Sequence, residues 1–321
     1  MPVSFPMKEK LIMAKIVKTG SRVATWSNVG RQADAKKIAD ALKSVGLDFH
    51  VEKRPVFFGP DMKKIDAKVA TVRTDREAYL GIVGPGYEIC QNKDAFEFAD
   101  YISDKLKFTR GGMTYTGLCW VIGEMPAIQI LGEDYTPCLV LQNSFNGNYQ
   151  VRASIVPLRV ANGSQVSIPL DGIASTVKVR HSTNLQSNMR QGQETLASVS
   201  KYMDGLRTVA EKYASVKMDK TQIEMFVEVL FPIREKMSDR VKESVIRQRK
   251  MFLDCYNDSG NKVHYGNAWG LIRAYADFVT HTVGKDTKTK FERKFMETTI
   301  GKNTFGGFLK KLEGVTGVKV A

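Results

Sequence analysis

The sequence predicts an α+β protein, with a central antiparallel β-meander and packed helices followed by a helical C-terminal part. Three observations carry this expectation. Between Tyr115 and Val160, turn signals recur about every ten residues, the rhythm of antiparallel strands. From Ala67 to Cys90 the pattern is strand-like, with Val69, Thr71 and Arg73 alternating with Ala70 and Val72. After Ser182 the apolar residues change to helical spacing.

Taken in order, residues 1–20 show no clean period and are read as a flexible N-terminal arm. Ile38, Leu42 and Val45 recur at i, i+4 and i+7, which predicts a helix over Ala33–Val45 ended by Gly46. Leu47–Val51 alternates as a strand, and Pro55, Gly59 and Pro60 then break the chain. Tyr79–Val83 is a further strand, and Gly84-Pro85-Gly86 a turn. Asn92 is placed as the N-cap of a helix reaching about Leu106, with Ala95, Phe98, Ala99 and Ile102 on one face. In the meander, runs at Tyr115–Ile122, Ala127–Leu131 and Pro137–Gln142 precede Asn146-Gly147, a hairpin signal, and a strand over Tyr149–Val156. Leu185 to Tyr213 reads as one long helix or two. Thr221 is placed as the cap of the next helix, and Pro232 interrupts it. Helices are expected over Asp239–Cys255 and Ala268–Val283, with Lys285–Ala321 loosely ordered at its end. The expected organisation is an arm at 1–20, an α+β core at 21–215, a helical region at 216–285 and a basic, partly flexible tail at 286–321.

An apolar content of 43% suffices for a sizeable core and excludes a disordered chain. No run approaches about 18 apolar residues, and no secretory pattern follows the charged N-terminus, so no membrane association is expected. Cys90, Cys119, Cys138 and Cys255 form no CxxC pair and read as buried reduced thiols of a cytoplasmic protein. The charge is more informative. The net charge is +14, and the pI of about 9.5 points to an anionic partner, nucleic acid first. Residues 1–150 contribute +3 and residues 151–321 contribute +11.

Catalytic signatures are absent. There is no GxxxxGK(S/T), no GxGxxG after a strand and no GxSxG. His50, His181, His264 and His281 lack metal-ligand spacing, so neither metal nor cofactor is expected. Glu133-Asp134 reads as exposed loop charge. The candidate nucleic-acid-binding residues are instead basic: Arg152 and Arg159 on the last meander strand, Lys178, Arg180 and His181 before a helix, and Arg190 downstream. Alternation places Lys178 and Arg180 on one face, able to track a phosphate backbone while aromatics stack bases. Arg247, Arg249 and Lys250, with Arg240 and Lys242, form a second cluster. Lys285, Lys288, Lys290, Arg293, Lys294, Lys302, Lys310 and Lys311 form a third. Solvated polar faces account for the same residues equally simply.

The order of segments resembles the phage- and plasmid-associated family known as domain of unknown function 932. The resembling stretches are Ala41–Val51, Val72–Asp75, Leu80–Phe96, Asn143–Gly147 with Pro157–Val160, Val179–Ser182, and Asn267-Ala268-Trp269-Gly270 before a helix containing Tyr275. They span about residues 20–285. Family members carry a Cys-Asn pair where this chain has Ala161-Asn162-Gly163. The resemblance implies residence in a mobile genetic element. It also implies a plan similar to phage single-strand annealing proteins of the Erf, Sak and Redβ kind, which is analogy of fold. Such proteins need no nucleotide or metal; they need a basic groove for one strand, and they oligomerise.

The resulting expectation is a non-enzymatic protein of a bacterial host's cytoplasm that binds and anneals single-stranded DNA as a ring or filament of identical subunits. The competing expectations are an interaction or structural protein whose basic face meets an acidic protein, and a metal-dependent nuclease.

Overall fold

The computed structural model describes residues 30–102, 104–114, 116–170, 172–178, 185–282 and 304–319. The architecture is α+β, with antiparallel sheets and a helical C-terminal part. Its strands are β1 (Arg31–Ala35), β2 (Val51–Phe58), β3 (Lys63–Arg73), β4 (Ala78–Val83), β5 (Lys107–Met113), β6 (Leu118–Glu124), β7 (Ile128–Ile130), β8 (Glu133–Ser144), β9 (Arg152–Arg159) and β10 (Thr176–Lys178). A seven-stranded sheet has the order β1-β5-β6-β8-β9-β10, with β7 paired beside β8, and a second sheet has the order β2-β3-β4. The helices are α1 (Ile38–Val45), α2 (Asn92–Phe96), α3 (Leu185–Ser215), α4 (Lys220–Leu230), α5 (Asp239–Tyr256), α6 (Ala268–Asp277) and α7 (Thr304–Thr316).

The predicted meander is present. Alternation sends Cys119, Val121, Leu139, Leu141, Ala153 and Ile155 into the main core, which they share with α1, α3 and α6. Leu118, Trp120, Ile122, Cys138, Val140 and Val156, from the opposite face, form a second buried cluster. The hairpin signal at Asn146-Gly147 lies in a wider connection than a two-residue turn. Strand β9 begins at Arg152, because Asn146 Nδ2 donates to Thr116 O (2.8 Å) and Ser144 Oγ to Tyr149 O (3.2 Å), ordering the loop by side chains.

Several boundaries differ from expectation, each for a traceable reason. The stretch read as the start of a helix at Ala33 is strand β1, because Arg31–Ala35 pairs with β5; tertiary pairing overrides the helix preference of its alanines. Helix α1 therefore begins at Ile38, and Gly46 caps it in the left-handed conformation as expected. The strand placed at Leu47 begins at Val51 and passes through Pro55. Pro55 is tolerated because β2 is an edge strand. Asn92 is inside α2 rather than its cap: its Nδ2 donates to Leu47 O (2.9 Å) and its Oδ1 accepts from Asn143 Nδ2 (3.1 Å). A 3₁₀ turn, Glu97–Ile102, follows and buries Phe98, Ala99 and Ile102. Asp219, not Thr221, caps α4, in a capping box with Gln222. Helix α6 ends at Asp277 and gives way to a π-helical turn, Phe278–Thr282. The stretch expected to be loose at the C-terminus contains α7. Phe305, Phe308, Leu309 and Leu312 of α7 recur at helical spacing and enter the main core.

The small sheet joins the body through its inner face. Thr71 Oγ1 donates to Phe145 O (2.7 Å), and the Arg73 guanidinium lies 3.9 Å above the Phe49 ring. At Gly81 a Cβ would fall 2.6 Å from Asn146 Cα, so only glycine lets the two backbones approach this closely. Strand β4 pairs only with residues 69–73 of β3; beyond them β2 and β3 continue as a two-stranded ribbon. All four cysteines are free, three buried and Cys90 half-buried. Burial pushes the thiols of Cys90 and Cys119 up to about 12.

Candidate nucleic-acid interface

Strand β10 is an edge of the large sheet, and its antiparallel register sets Lys178 opposite Arg152 on β9. Paired residues share one face, so the two cations are cross-strand neighbours. Gln142 of β8 continues the same row; its Oε1 accepts from Arg152 Nε at 2.6 Å. The Arg152 guanidinium lies 5.7 Å from the Tyr149 ring centroid. Burial lowers the affinity of Arg152 for its proton, while the neighbouring Tyr149 opposes that shift. Lys178 is exposed. Thus Arg152 is a partly buried, oriented donor and Lys178 an exposed surface cation. Arg190, exposed near the start of α3, belongs to the same part of the chain. Arg180 and His181 lie outside the described residues.

Arg159 is not part of any such surface. Its side chain is 2% exposed and is consumed by internal partners. Its Nη2 donates to Gly260 O (2.6 Å) and pairs with Glu133 Oε1 (3.0 Å), and its Nη1 donates to Asn261 Oδ1 (3.0 Å). Arg273 of α6, also buried, donates through Nη2 to the same Gly260 carbonyl (2.8 Å) and to Glu133. Asp277 Oδ2 accepts from Asn261 Nδ2 (3.0 Å) and lies 3.7 Å from Arg159 Nη1. Two guanidinium groups thus face two carboxylates in the interior, the arrangement that makes buried charge tolerable. Glu133, read from sequence as loop charge, is the bridge between both arginines. Sequence spacing hid this because Arg273 is 140 residues away.

The network extends to a serine and a histidine. Ser164 Oγ donates to Asp277 Oδ1 and lies 3.2 Å from His281 Nε2; Asn162 Nδ2 donates to the same carboxylate oxygen at 2.9 Å. The residue types are those of a nucleophilic triad, but the order differs. In a triad the carboxylate stands behind the histidine and the serine faces substrate. Here the carboxylate holds the serine itself, and Ser164, Asp277 and His281 are all buried. The geometry serves as a clamp that ties the loop after β9 to α6 and the turn following it. His264, beside this network, has its pKa pulled down to about 4, first by burial and then by Arg273 and Arg159. Among the described residues, no group of three or more His, Cys, Asp or Glu side chains is placed to hold a metal ion.

The second cluster is on α5, which packs mainly on α6 and the turn Phe278–Thr282. Arg247 and Lys250 are exposed. Arg249 is not free: its Nε donates to Phe231 O (3.0 Å), and its Nη1 lies 3.5 Å from Glu228 Oε1. Of the third cluster, Lys310 is exposed on α7 and Lys311 donates to Leu230 O (3.0 Å) at the C-terminus of α4. The basic residues from Lys285 to Lys302 lie outside the described residues. The structure therefore brings Arg152 and Lys178 together, keeps Arg247 and Lys250 on a separate helix, and assigns Arg159 to the interior.

The Asn267-Ala268-Trp269-Gly270 stretch also has a structural reading. Asn267 Oδ1 accepts from Gly270 N (3.0 Å) as the N-cap of α6, and Trp269 is buried. A Cβ on Gly270 would lie 2.2 Å from His264 O.

Among the described residues, no helix is long and apolar enough to cross a membrane. No curated protein and no solved structure matches the chain. The sequence profile of one family, Domain of unknown function (DUF932), matches residues 79–298, more than half of the chain. The stretches cited for the resemblance from Leu80 onward fall within that match, and Ala41–Val51 and Val72–Asp75 precede it. The match covers the chain from β4 through α6, and this chain belongs to the domain of unknown function 932 family.

Proposed function

We propose that this protein binds single-stranded DNA and promotes strand annealing without making or breaking covalent bonds, as a phage- or plasmid-encoded recombination protein in the cytoplasm of a bacterial host. The observation that carries the reading is the Lys178–Arg152 pair at the edge of the large sheet. It lies beside Tyr149 and within the half of the chain that holds +11 of the net +14. A sheet edge with adjacent cations follows a phosphate backbone, while an aromatic ring offers a stacking surface. Self-association of identical subunits, which would extend such an edge, is supported by apolar side chains left exposed on consecutive elements: Met225 and Val229 of α4, Ile233, and Val241 and Ile246 of α5.

Fluorescence anisotropy with a labelled oligothymidylate, repeated across a salt series, tests the binding. Affinity is expected to fall with salt, and Lys178→Ala is expected to weaken binding to all sequences alike and make the log–log salt slope shallower by about 0.7, one single-strand phosphate contact. Absence of binding at low salt, or binding indifferent to salt, would overturn the reading. Light scattering of the same samples gives the subunit number.

A further inference from the structure

We propose that the ribbon formed by β2 and β3, together with β4, is a base-stacking surface for single-stranded nucleic acid. This rests on the nucleic-acid reading above and supplies what the β9–β10 edge lacks, a set of exposed aromatic rings. The large exposed aromatics among the described residues are Phe57, Phe58, Tyr79, Tyr101 and Tyr265, and three of the five belong to this one small sheet. Tyr79 is 74% exposed, Phe58 58%, and Met62 in the hairpin turn 65%. Phe58 and Tyr79 are thus left largely in solvent, the ribbon's outer part covers no core, and an isolated two-stranded hairpin is at best marginal in water. Rings presented this way on a solvent-washed strand fit a ligand with flat faces of its own.

The register shows how the surface is laid out. Paired residues share a face. Val72 is opposite both Glu52 and Tyr79, Ala70 is opposite Arg54 and Ile82, and Lys64 is opposite Phe57. The register shifts between Pro55 and Phe57, where β3 holds the extra residues and β2 runs on unbroken. Alternation along β2 therefore sets Arg54, Phe58 and its partner Lys63 on one face with Tyr79 and Ile82, with Phe57 and Lys64 turned to the other. From the row of Tyr79, which Glu52 shares through Val72, to Phe58 is six residues of β2, about 20 Å at a strand rise of ~3.4 Å per residue. The face thus begins and ends on an aromatic ring, with Arg54 between them and Lys63 beside the second. That is the pattern of surfaces which hold a strand by its backbone and stack its bases.

The cations are available to phosphate. Arg54 lies near Glu52 (3.3 Å) and Glu77 (3.6 Å), and Lys64 near Asp66 (2.9 Å). All of these pairs are largely solvent-exposed, and exposed pairs contribute about 0–1 kcal/mol. Across the ribbon's 52–68 segment, five basic residues face three acidic ones. A bilayer would also accept apolar tips. It does not account for Tyr79 and Ile82, which are distant from the tip and share a face with Arg54. The ribbon precedes the family-matched segment and only β4 lies within it, so this surface is a feature of the chain outside most of the shared part.

The experiment uses the full chain and a fluorescein-labelled oligothymidylate. Phe58→Ala and Tyr79→Ala change exposed side chains and leave the fold intact, as circular dichroism verifies. Each is expected to weaken binding by roughly 5- to 100-fold, the loss of one stacked base. The log–log salt slope is expected to stay unchanged, because no phosphate contact is removed. Phe58→Trp is expected to keep the affinity, and its added tryptophan emission to be quenched on binding. If wild-type protein binds and Lys178→Ala weakens it, while both alanine variants bind as wild type, the ribbon proposal falls and the sheet-edge reading stands. If the alanine variants change only the oligomer mass, or only retention on anionic phospholipid vesicles, the ribbon's partner is a second copy or a membrane and the proposal is overturned. If wild-type protein binds no oligonucleotide at low salt, the functional reading itself fails.

Discussion

Gly270 shows how one missing methyl group fixes a helix. It follows Trp269 in the first turn of α6, and a Cβ there would meet the His264 carbonyl oxygen at 2.2 Å. In an open helix, Gly→Ala adds about 1 kcal/mol of stability. Here the forced approach dominates, and Gly270→Ala is expected to destabilise by about 1–3 kcal/mol, the usual cost of overpacking. Urea denaturation measures the sign, and a gain in stability would contradict the geometry. The preceding His264 makes a second residue-scale prediction. Its folded pKa is about 4, against an ordinary value near 6.5. Between these values the unfolded chain takes up a proton that the folded chain refuses. Its contribution is therefore fully present above about pH 6.5 and is lost as pH falls toward 4. The denaturation midpoint of the wild type is expected to drop between pH 7 and 5. His264→Asn, which cannot titrate, is expected to lose part of that drop; an unchanged pH profile in the variant would contradict the assignment.

Legibility at the element scale depended on where the stabilising partner lies. The meander strands could be read because turns and alternation are local signals. Strand β1 was missed, since its residues favour a helix and only the distant β5 makes them a strand. Glu133 looked like loop charge because its two arginines lie 26 and 140 residues away. Arg159 was read as a phosphate ligand because sequence shows its charge but not its neighbours; Arg152, seven residues earlier on the same strand, remained a candidate because the register pairs it with Lys178. Helix α7 was readable in principle, since Phe305, Phe308, Leu309 and Leu312 have helical spacing, but Gly306, Gly307 and the lysines obscured it. Phe308 stacks on Tyr275 (4.2 Å between centroids) and meets Phe226 edge-on (5.2 Å). Phe308→Ala is expected to cost about 3–5 kcal/mol, the range for a buried phenylalanine. A cost below about 1 kcal/mol in urea denaturation would show that α7 is not part of the cooperative fold.

For the whole molecule, the positive charge divides into parts with different work. Arg159 and Arg273 spend theirs inside, balanced by Glu133 and Asp277, and hold the meander to α6. Arg249 and Lys311 spend theirs on the carbonyl groups that end α4. Lys178, Arg190, Arg247 and Lys250 keep theirs at the surface. Under the proposed function, the sheet edge follows phosphates and the ribbon of the small sheet stacks bases, so both the backbone and the faces of a single strand have a surface to meet. The most direct measurement is the affinity of the full chain for a labelled oligothymidylate, titrated between about 50 and 200 mM salt. The account predicts binding at low salt that weakens steeply and linearly on logarithmic axes. No binding at the lowest salt, or an affinity that salt leaves unchanged, would contradict it.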